Sequence, residues 1–296
     1  GEFQAGRAVA MPSFALNHRV APRLGVERFF DLAAGLDVRA VEIRSDLAGV
    51  ALADGSDPRA VRDAAAARHL RILSVNALQR FNDWNPARSE EAKAAADTAR
   101  RAGAEALVLC PVNENGFWRE NERRLAALRE ALAALAPILA AAGITGLVEP
   151  LGFAECSLRL KREAVEAIDD IGGAERFRLV HDTFHHVVAG EAEFFPTRTG
   201  LVHVSGVEGS VTREAMRDPD RVLVGPRDRL DNRGQLRALS AGGYAGHASF
   251  EPFADAISRS PDIAAELAAS IAYLNDGPAD RALDPARRAT GTKPAG

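Results

Sequence analysis

Gly146–Pro150 reads GLVEP, an apolar pair ending on a carboxylate, and the same arrangement returns three times downstream. Leu179-Val180-His181 precede Asp182, Leu201-Val202 precede His203, and Ser249-Phe250 precede Glu251 in SFEPF. Short apolar runs buried on both faces are how parallel strands read. In a closed barrel, parallel strands all end at one mouth, where active sites are built. Three carboxylates and one imidazole gathered there make a divalent-metal site. That donor set suits Mn²⁺, Mg²⁺, Co²⁺ or Zn²⁺ and does not choose among them.

Outward from these four ends, apolar runs alternate with Ala/Arg/Glu-rich stretches. Strands are predicted near Phe14–Asn17, Ala40–Arg44, Ile72–Asn76, Ala106–Pro111, Gly146–Pro150, Phe177–Asp182, Leu201–Val204 and Ala248–Glu251. Helices are predicted over Leu24–Gly35, Pro58–Leu70, Arg88–Ala102, Arg119–Ala142, Lys161–Ile171, Gln235–Ala241 and Pro261–Leu274. Gly35, Gly103, Gly143 and Gly172 are placed to close helices at positive φ. This rhythm predicts an α/β fold, a single-domain (β/α)8 TIM barrel. The rival, an open doubly wound sheet, wants a glycine-rich loop after its first strand, and that position reads NHRVAPRLG. Residues 1–279 are assigned to the barrel, with 1–11 leader- or tag-like. Residues 280–296 lack apolar periodicity and read as a mobile tail.

With 296 residues, 47% of them hydrophobic and 26% charged, the chain can bury one large core. A net charge of -4 argues against a nucleic-acid partner, which calls for a basic face. Cys110 and Cys156 supply neither a disulfide framework nor a cysteine zinc motif, and Cys110, closing the run ALVLC, reads as a small buried hydrophobe. No apolar run reaches the roughly 18–20 residues of a membrane span. The first residues hold no apolar signal core. No membrane partner and a reducing, cytoplasmic setting are therefore expected. Glu191–Arg233, broken only by strand seven, is a long stretch of the functional kind.

Further motifs run from the first strand to the last: ALN ending at Asn17, VEIRS at Val41–Ser45, SVNALQRFND at Ser74–Asp83 and VEPLGFAEC at Val148–Cys156. HDTFHH at His181–His186, VHVSG at Val202–Gly206, DRVLVGPRDRLDN at Asp220–Asn232 and SFEPF at Ser249–Phe253 complete them. In these stretches the chain resembles the xylose-isomerase-like barrel superfamily of sugar isomerases and epimerases, and within it the 2-keto-myo-inositol isomerase (inosose isomerase) branch. The resemblance implies one divalent metal ion bound by Glu149, Asp182, His203 and Glu251, and a small polyhydroxylated substrate, a cyclitol or sugar. It implies that Glu149 and Glu251 double as acid/base groups, that His185 contacts a substrate oxygen in catalysis, and that Glu155 is a substrate-contact carboxylate. Related barrels form dimers or tetramers, so a homo-oligomer is also expected.

The chemistry explains the donor set. Moving a carbonyl to its neighbouring carbon requires loss of a weakly acidic C–H proton, which a metal at the oxygens and a nearby carboxylate together make feasible. Asn17, Glu42, Arg44 and Asn76 end the first three strands, where polar groups suit buried ring hydroxyls. Asn76 is the foremost substrate contact among them, and Glu42 and Arg44 can equally form an ion pair. Phe81 and Trp84 are placed either to stack on a sugar or cyclitol ring or to fill a core or interface. Arg227 is placed to bind substrate oxygens or to pair with Asp228 or Asp231. Some epimerases of the superfamily carry an arginine shortly after the histidine ligand, where this chain has Gly209. His181 should point away from the mouth.

The residues themselves support a metal with two carboxylates in a barrel mouth; the resemblance implies an isomerase converting 2-keto-myo-inositol to 1-keto-D-chiro-inositol, with a ketose 3-epimerase or related sugar isomerase as runner-up. A dehydratase of a cyclic keto-acid would need Arg44, Arg80 or Arg227 in the pocket. An apurinic-site endonuclease would need more histidines at the mouth than the chain's seven allow.

Overall fold

A computed structural model of the chain describes residues 9–47, 52, 55–116 and 120–277. The tail expected at 280–296 and most of the leader-like start lie outside the described residues. Eight parallel strands close into a barrel in sequence order: β1 (Ser13–Asn17), β2 (Ala40–Arg44), β3 (Arg71–Leu78), β4 (Ala106–Leu109), β5 (Thr145–Val148), β6 (Phe177–Asp182), β7 (Thr199–Val204) and β8 (His247–Phe250). β8 pairs back onto β1, so the barrel has no free edge. Helices α1 (Val26–Gly35), α2 (Pro58–Ala66), α3 (Pro86–Arg101), α4 (Asn121–Ala142), α5 (Lys161–Asp170), α6 (Thr183–Ala189) and α7 (Asn232–Ala241) connect the strands. A short α8 (Asp255–Ser258) and then α9 (Ile263–Asp276) follow the last strand.

The strands alternate their side chains with period two, which sorts each into an outer and an inner set. Outward residues such as Leu16, Val41, Ile43, Leu107, Leu179, Val202 and Phe250 belong to the large core shared with the helices. Inward residues Ala15, Ala40, Leu73, Ala106, Val108, Leu147, Val180 and Leu201 form a separate buried plug inside the barrel. Two residues further along β5, β6 and β7 the inward positions become Glu149, Asp182 and His203. The period that buries Leu147, Val180 and Leu201 therefore also aims the functional side chains into the mouth.

Several helix starts follow from local chemistry. Asp57 and Asn85 accept backbone N–H groups at the heads of α2 and α3, each followed by proline at the first helical position. Gly103, Gly143 and Gly172 take positive φ where helices end, as expected, but Gly35 does not. The turn after α1 instead places Asp37 at φ 56. Strand ends agree with the sequence reading to within two residues, and α6, directly after β6, is an addition. Its seven residues are too short for a recognisable apolar period. α4 is long and apolar enough by composition to cross a membrane. Here it is the crossover from β4 to β5, with Leu128, Leu132, Leu135 and Leu139 buried against the barrel. Arg129 and Glu130 interrupt its apolar residues, so the helix holds no continuous apolar run of that length.

Candidate metal and active site

Glu149, Asp182, His203 and Glu251 meet at the C-terminal mouth with one donor atom from each lying within 4.8 Å of all the others. All four are buried, at 4%, 3%, 0% and 3% exposure. His203 is central. Its Nδ1 lies 3.0 Å from Glu149 Oε1, 3.0 Å from Glu251 Oε2 and 3.9 Å from Asp182 Oδ2. Its Nε2 faces the opposite way, 3.0 Å from Glu42 on β2. Three buried carboxylates repel one another unless a cation stands among them. With hard oxygens and an imidazole whose second nitrogen is already engaged, the donor set fits a divalent metal ion.

The carboxylates have unequal surroundings. Burial and the nearby Glu251 and Asp182 charges push Glu149 up to about 7, against the pull of His203. Burial also opposes charge on Glu251, but His203, Arg44 and Arg221 together hold it well below the usual carboxylate range. Burial likewise opposes charge on His203, yet Glu251, Glu42 and Glu149 drive its pKa well above the ordinary value. Arg44 Nη1 donates to Glu251 Oε1 at 2.8 Å, while its other nitrogens clasp Asp46 at 2.7 and 2.8 Å. Arg221 Nη2 donates to Asp182 Oδ2 at 2.7 Å and approaches Glu251 Oε2 at 3.4 Å.

Asp182 also caps α6, because its Oδ1 accepts the N–H groups of Phe184 and His185. This cap orients His185, whose Nδ1 accepts the Gly152 N–H at 3.0 Å. Only a residue without Cβ fits at 152, since one there would lie 2.4 Å from the His185 carbonyl oxygen. The His185 ring stands edge-on to Phe153 and Phe184 and lines a cavity of about 370 Å³ over the cluster. Burial lowers its pKa, so the imidazole is neutral.

A family model of the xylose isomerase-like TIM barrel matches residues 30–276. The chain belongs to this family. Among solved structures, a xylose isomerase domain-containing protein from Salmonella typhimurium LT2 is similar to this xylose isomerase-like barrel at 33% identity and TM-score 0.83, covering 91% of this chain and 99% of that one. A protein titled IOLI with a bound zinc atom aligns at 18% identity and TM-score 0.77, covering 89% and 98%. An L-ribulose 3-epimerase aligns at 18% identity and TM-score 0.67, covering 96% and 100%. The last two show a shared fold. No curated protein sequence matches.

The remaining residues singled out in the sequence of this xylose isomerase-like barrel divide by location. Asn76 lines the cavity, but its amide donates to Glu42 Oε1 at 3.0 Å. Asn17 is fully buried and also donates to Glu42, at 3.1 Å. Glu155 borders a neighbouring cavity of about 650 Å³ with Arg124 and Arg159, outside the mouth. Trp84 is half-buried against the main core, and Phe81 is fully buried in it. Arg227 is 81% exposed and pairs with Glu208. The ion pair weighed for Glu42 and Arg44 does not form, because Glu42 faces His203 and Arg44 faces Asp46 and Glu251. His181 points outward to Gln235 as expected.

Arg221 and Cys110 are among the cavity residues that the sequence does not single out for the site. Arg221 enters because the Gly206–Val222 bridge folds the long loop after β7 back over the mouth, and no local signal favours it over Arg227. Cys110, expected as a buried hydrophobe, lines the cavity with Sγ 3.8 Å from Glu149 Oε2.

Proposed function

We propose that this protein is a divalent-metal-dependent isomerase that shifts a carbonyl to the adjacent carbon of a keto-cyclitol, converting 2-keto-myo-inositol to 1-keto-D-chiro-inositol. The observation that carries the reading is the placement of two buried carboxylates, Glu149 and Glu251, each 3.0 Å from His203 Nδ1 at the floor of a small polar cavity. Glu149, Asp182, His203 and Glu251 would hold the ion, which would polarise the substrate carbonyl and offset the negative charge that develops on its oxygen. Glu149 and Glu251 both reach this cavity and would serve as the acid/base pair, taking the carbon-bound proton and returning it at the neighbouring carbon. The hydroxyl proton must also move from one oxygen to the next, and His185 stands over the cavity as its carrier. The zinc of the IOLI protein and the activity named for the 3-epimerase support metal and proton chemistry on this fold. Free thiols at Cys110 and Cys156 accord with action in the cytoplasm.

The charge balance of the cavity favours a neutral polyol. Arg44, Arg80 and Arg221 all line it, which is what a dehydratase of a cyclic keto-acid would want. Each is already committed, however: Arg44 to Asp46 and Glu251, Arg80 to Asp83 and Glu114, Arg221 to Asp182 and Asp218. The arginines that line the cavity are thus all paired with carboxylates, so the dehydratase remains the second reading. A nuclease site is disfavoured, since only His185 and His203 of the seven histidines serve the mouth.

Proton NMR of 2-keto-myo-inositol in D₂O with the EDTA-treated protein, before and after Mn²⁺ addition, tests the proposal. Metal-dependent appearance of the positional isomer is expected, and Glu251→Gln should abolish it. Turnover of a cyclic keto-acid with loss of water, and none of the cyclitol, would transfer the assignment to the dehydratase.

A further inference from the structure

Glu42 lies beneath the four-residue cluster with no exposure, and every hydrogen-bonding position of its carboxylate is used. Ser74 Oγ and Asn76 Nδ2 donate to Oε1 at 2.7 and 3.0 Å. Ser249 Oγ and Asn17 Nδ2 donate to Oε2 at 2.6 and 3.1 Å. His203 Nε2 completes the cage at 3.0 Å. The donors arrive from β1, β3, β7 and β8, so the carboxylate ties half of the barrel wall to one histidine.

We infer that Glu42 is a positioning residue that holds His203 in the tautomer protonated on Nε2, so that Nδ1 is the metal-binding nitrogen. This rests on the reading of the cluster as a divalent-metal site. An ionised carboxylate can only accept hydrogen bonds, so the His203 nitrogen facing it must carry the proton. With that proton fixed, a metal ion would take the place of the proton on Nδ1, the atom directed at Glu149, Glu251 and Asp182. A carboxylate behind a metal-binding imidazole also makes that imidazole a better donor. An amide would serve less well, because either orientation of a glutamine turns an NH₂ toward two of the four side-chain donors. An NH₂ facing Ser249 and Asn17 is the worse case, because Asn17 could not flip: its Oδ1 already accepts from Arg19 N and Arg44 Nη1. Asn17, Glu42 and Asn76, three of the four polar side chains that the first strand ends offer to a substrate, are thus largely spent on orienting a ligand.

Zinc titration against a chromophoric chelator, combined with nitrogen-15 NMR of the zinc-loaded wild-type protein labelled at histidine, tests this. The expected spectrum shows His203 protonated on Nε2 and metallated on Nδ1. Glu42→Gln should bind zinc about 10–100-fold more weakly with an unchanged circular dichroism spectrum before metal is added. A proton on Nδ1, or unchanged zinc affinity in Glu42→Gln, would overturn the inference. The wild-type spectrum decides the tautomer even if that variant fails to fold. Zinc bound in the expected tautomer without turnover of any keto-cyclitol would support Glu42's role while refuting the proposed substrate. A wild-type protein that takes up no zinc would refute both.

Discussion

His185 accepts the Gly152 amide at Nδ1 and therefore carries its proton on Nε2, whatever substrate enters. A neutral imidazole donor of this kind can stabilise charge on a substrate oxygen and pass a proton between neighbouring oxygens. It makes no contact with the cluster through its ring, so its loss should affect chemistry and spare the metal. His185→Ala is expected to lower kcat by about 10²–10⁴-fold while the metal content stays stoichiometric by elemental analysis. Loss of the metal in that variant would show that the ring supports the ligand set. The acidic residues at this scale were legible in the sequence because each follows its own apolar run. Arg221 and Cys110 were not, since neither position differs locally from its neighbours.

The short helical turn His18–Val20, which leaves β1, carries a buried histidine far from the usual solvent range. The His18 ring stacks on Phe29 with centroids 4.3 Å apart, and Nε2 donates to the Leu24 carbonyl at 2.8 Å. Burial lowers its pKa from 6.5 to about 4, opposed by the Leu24 bond and aided by Arg44. The unfolded chain therefore binds this proton before the folded chain does. Stability is present above about pH 6.5 and is lost as pH falls toward 4, by on the order of 3 kcal/mol at most. Thermal unfolding from pH 7 to 4 should show a steeper loss in the wild type than in His18→Gln, and parallel curves would contradict the assignment. Most elements were readable because apolar runs and Ala-rich stretches alternate. α6 was not, because its start depends on Asp182 serving as both strand end and cap.

Across the whole molecule, closure of the barrel forces Glu42, Glu149, Asp182 and Glu251 into one buried region balanced internally by His203, Arg44 and Arg221. A divalent ion would bind the folded state alone, since the unfolded chain does not gather these groups. At 100-fold excess over Kd it should add about 2.7 kcal/mol. For a chain of this size that corresponds to a Tm increase of roughly 4–5 °C. Calorimetry of EDTA-treated protein with and without added Mn²⁺ or Zn²⁺ measures this. An unchanged Tm would argue that the arginines and His203 already satisfy the carboxylates.

The sequence by itself determined the barrel and the four strand-end residues that meet at its mouth. Both follow from short-range patterns: a period of two within strands, apolar runs between helices, and a polar residue where each run stops. The partner of each polar group was decided only by the tertiary structure. Glu42 and His203 stand 161 residues apart and meet across the barrel interior. Arg44 reaches Glu251 over 207 residues, and Arg221 depends on a loop folding back onto Gly206. Local pattern carries no information about such pairings, because strand closure and loop return set them through contacts that no stretch of sequence contains.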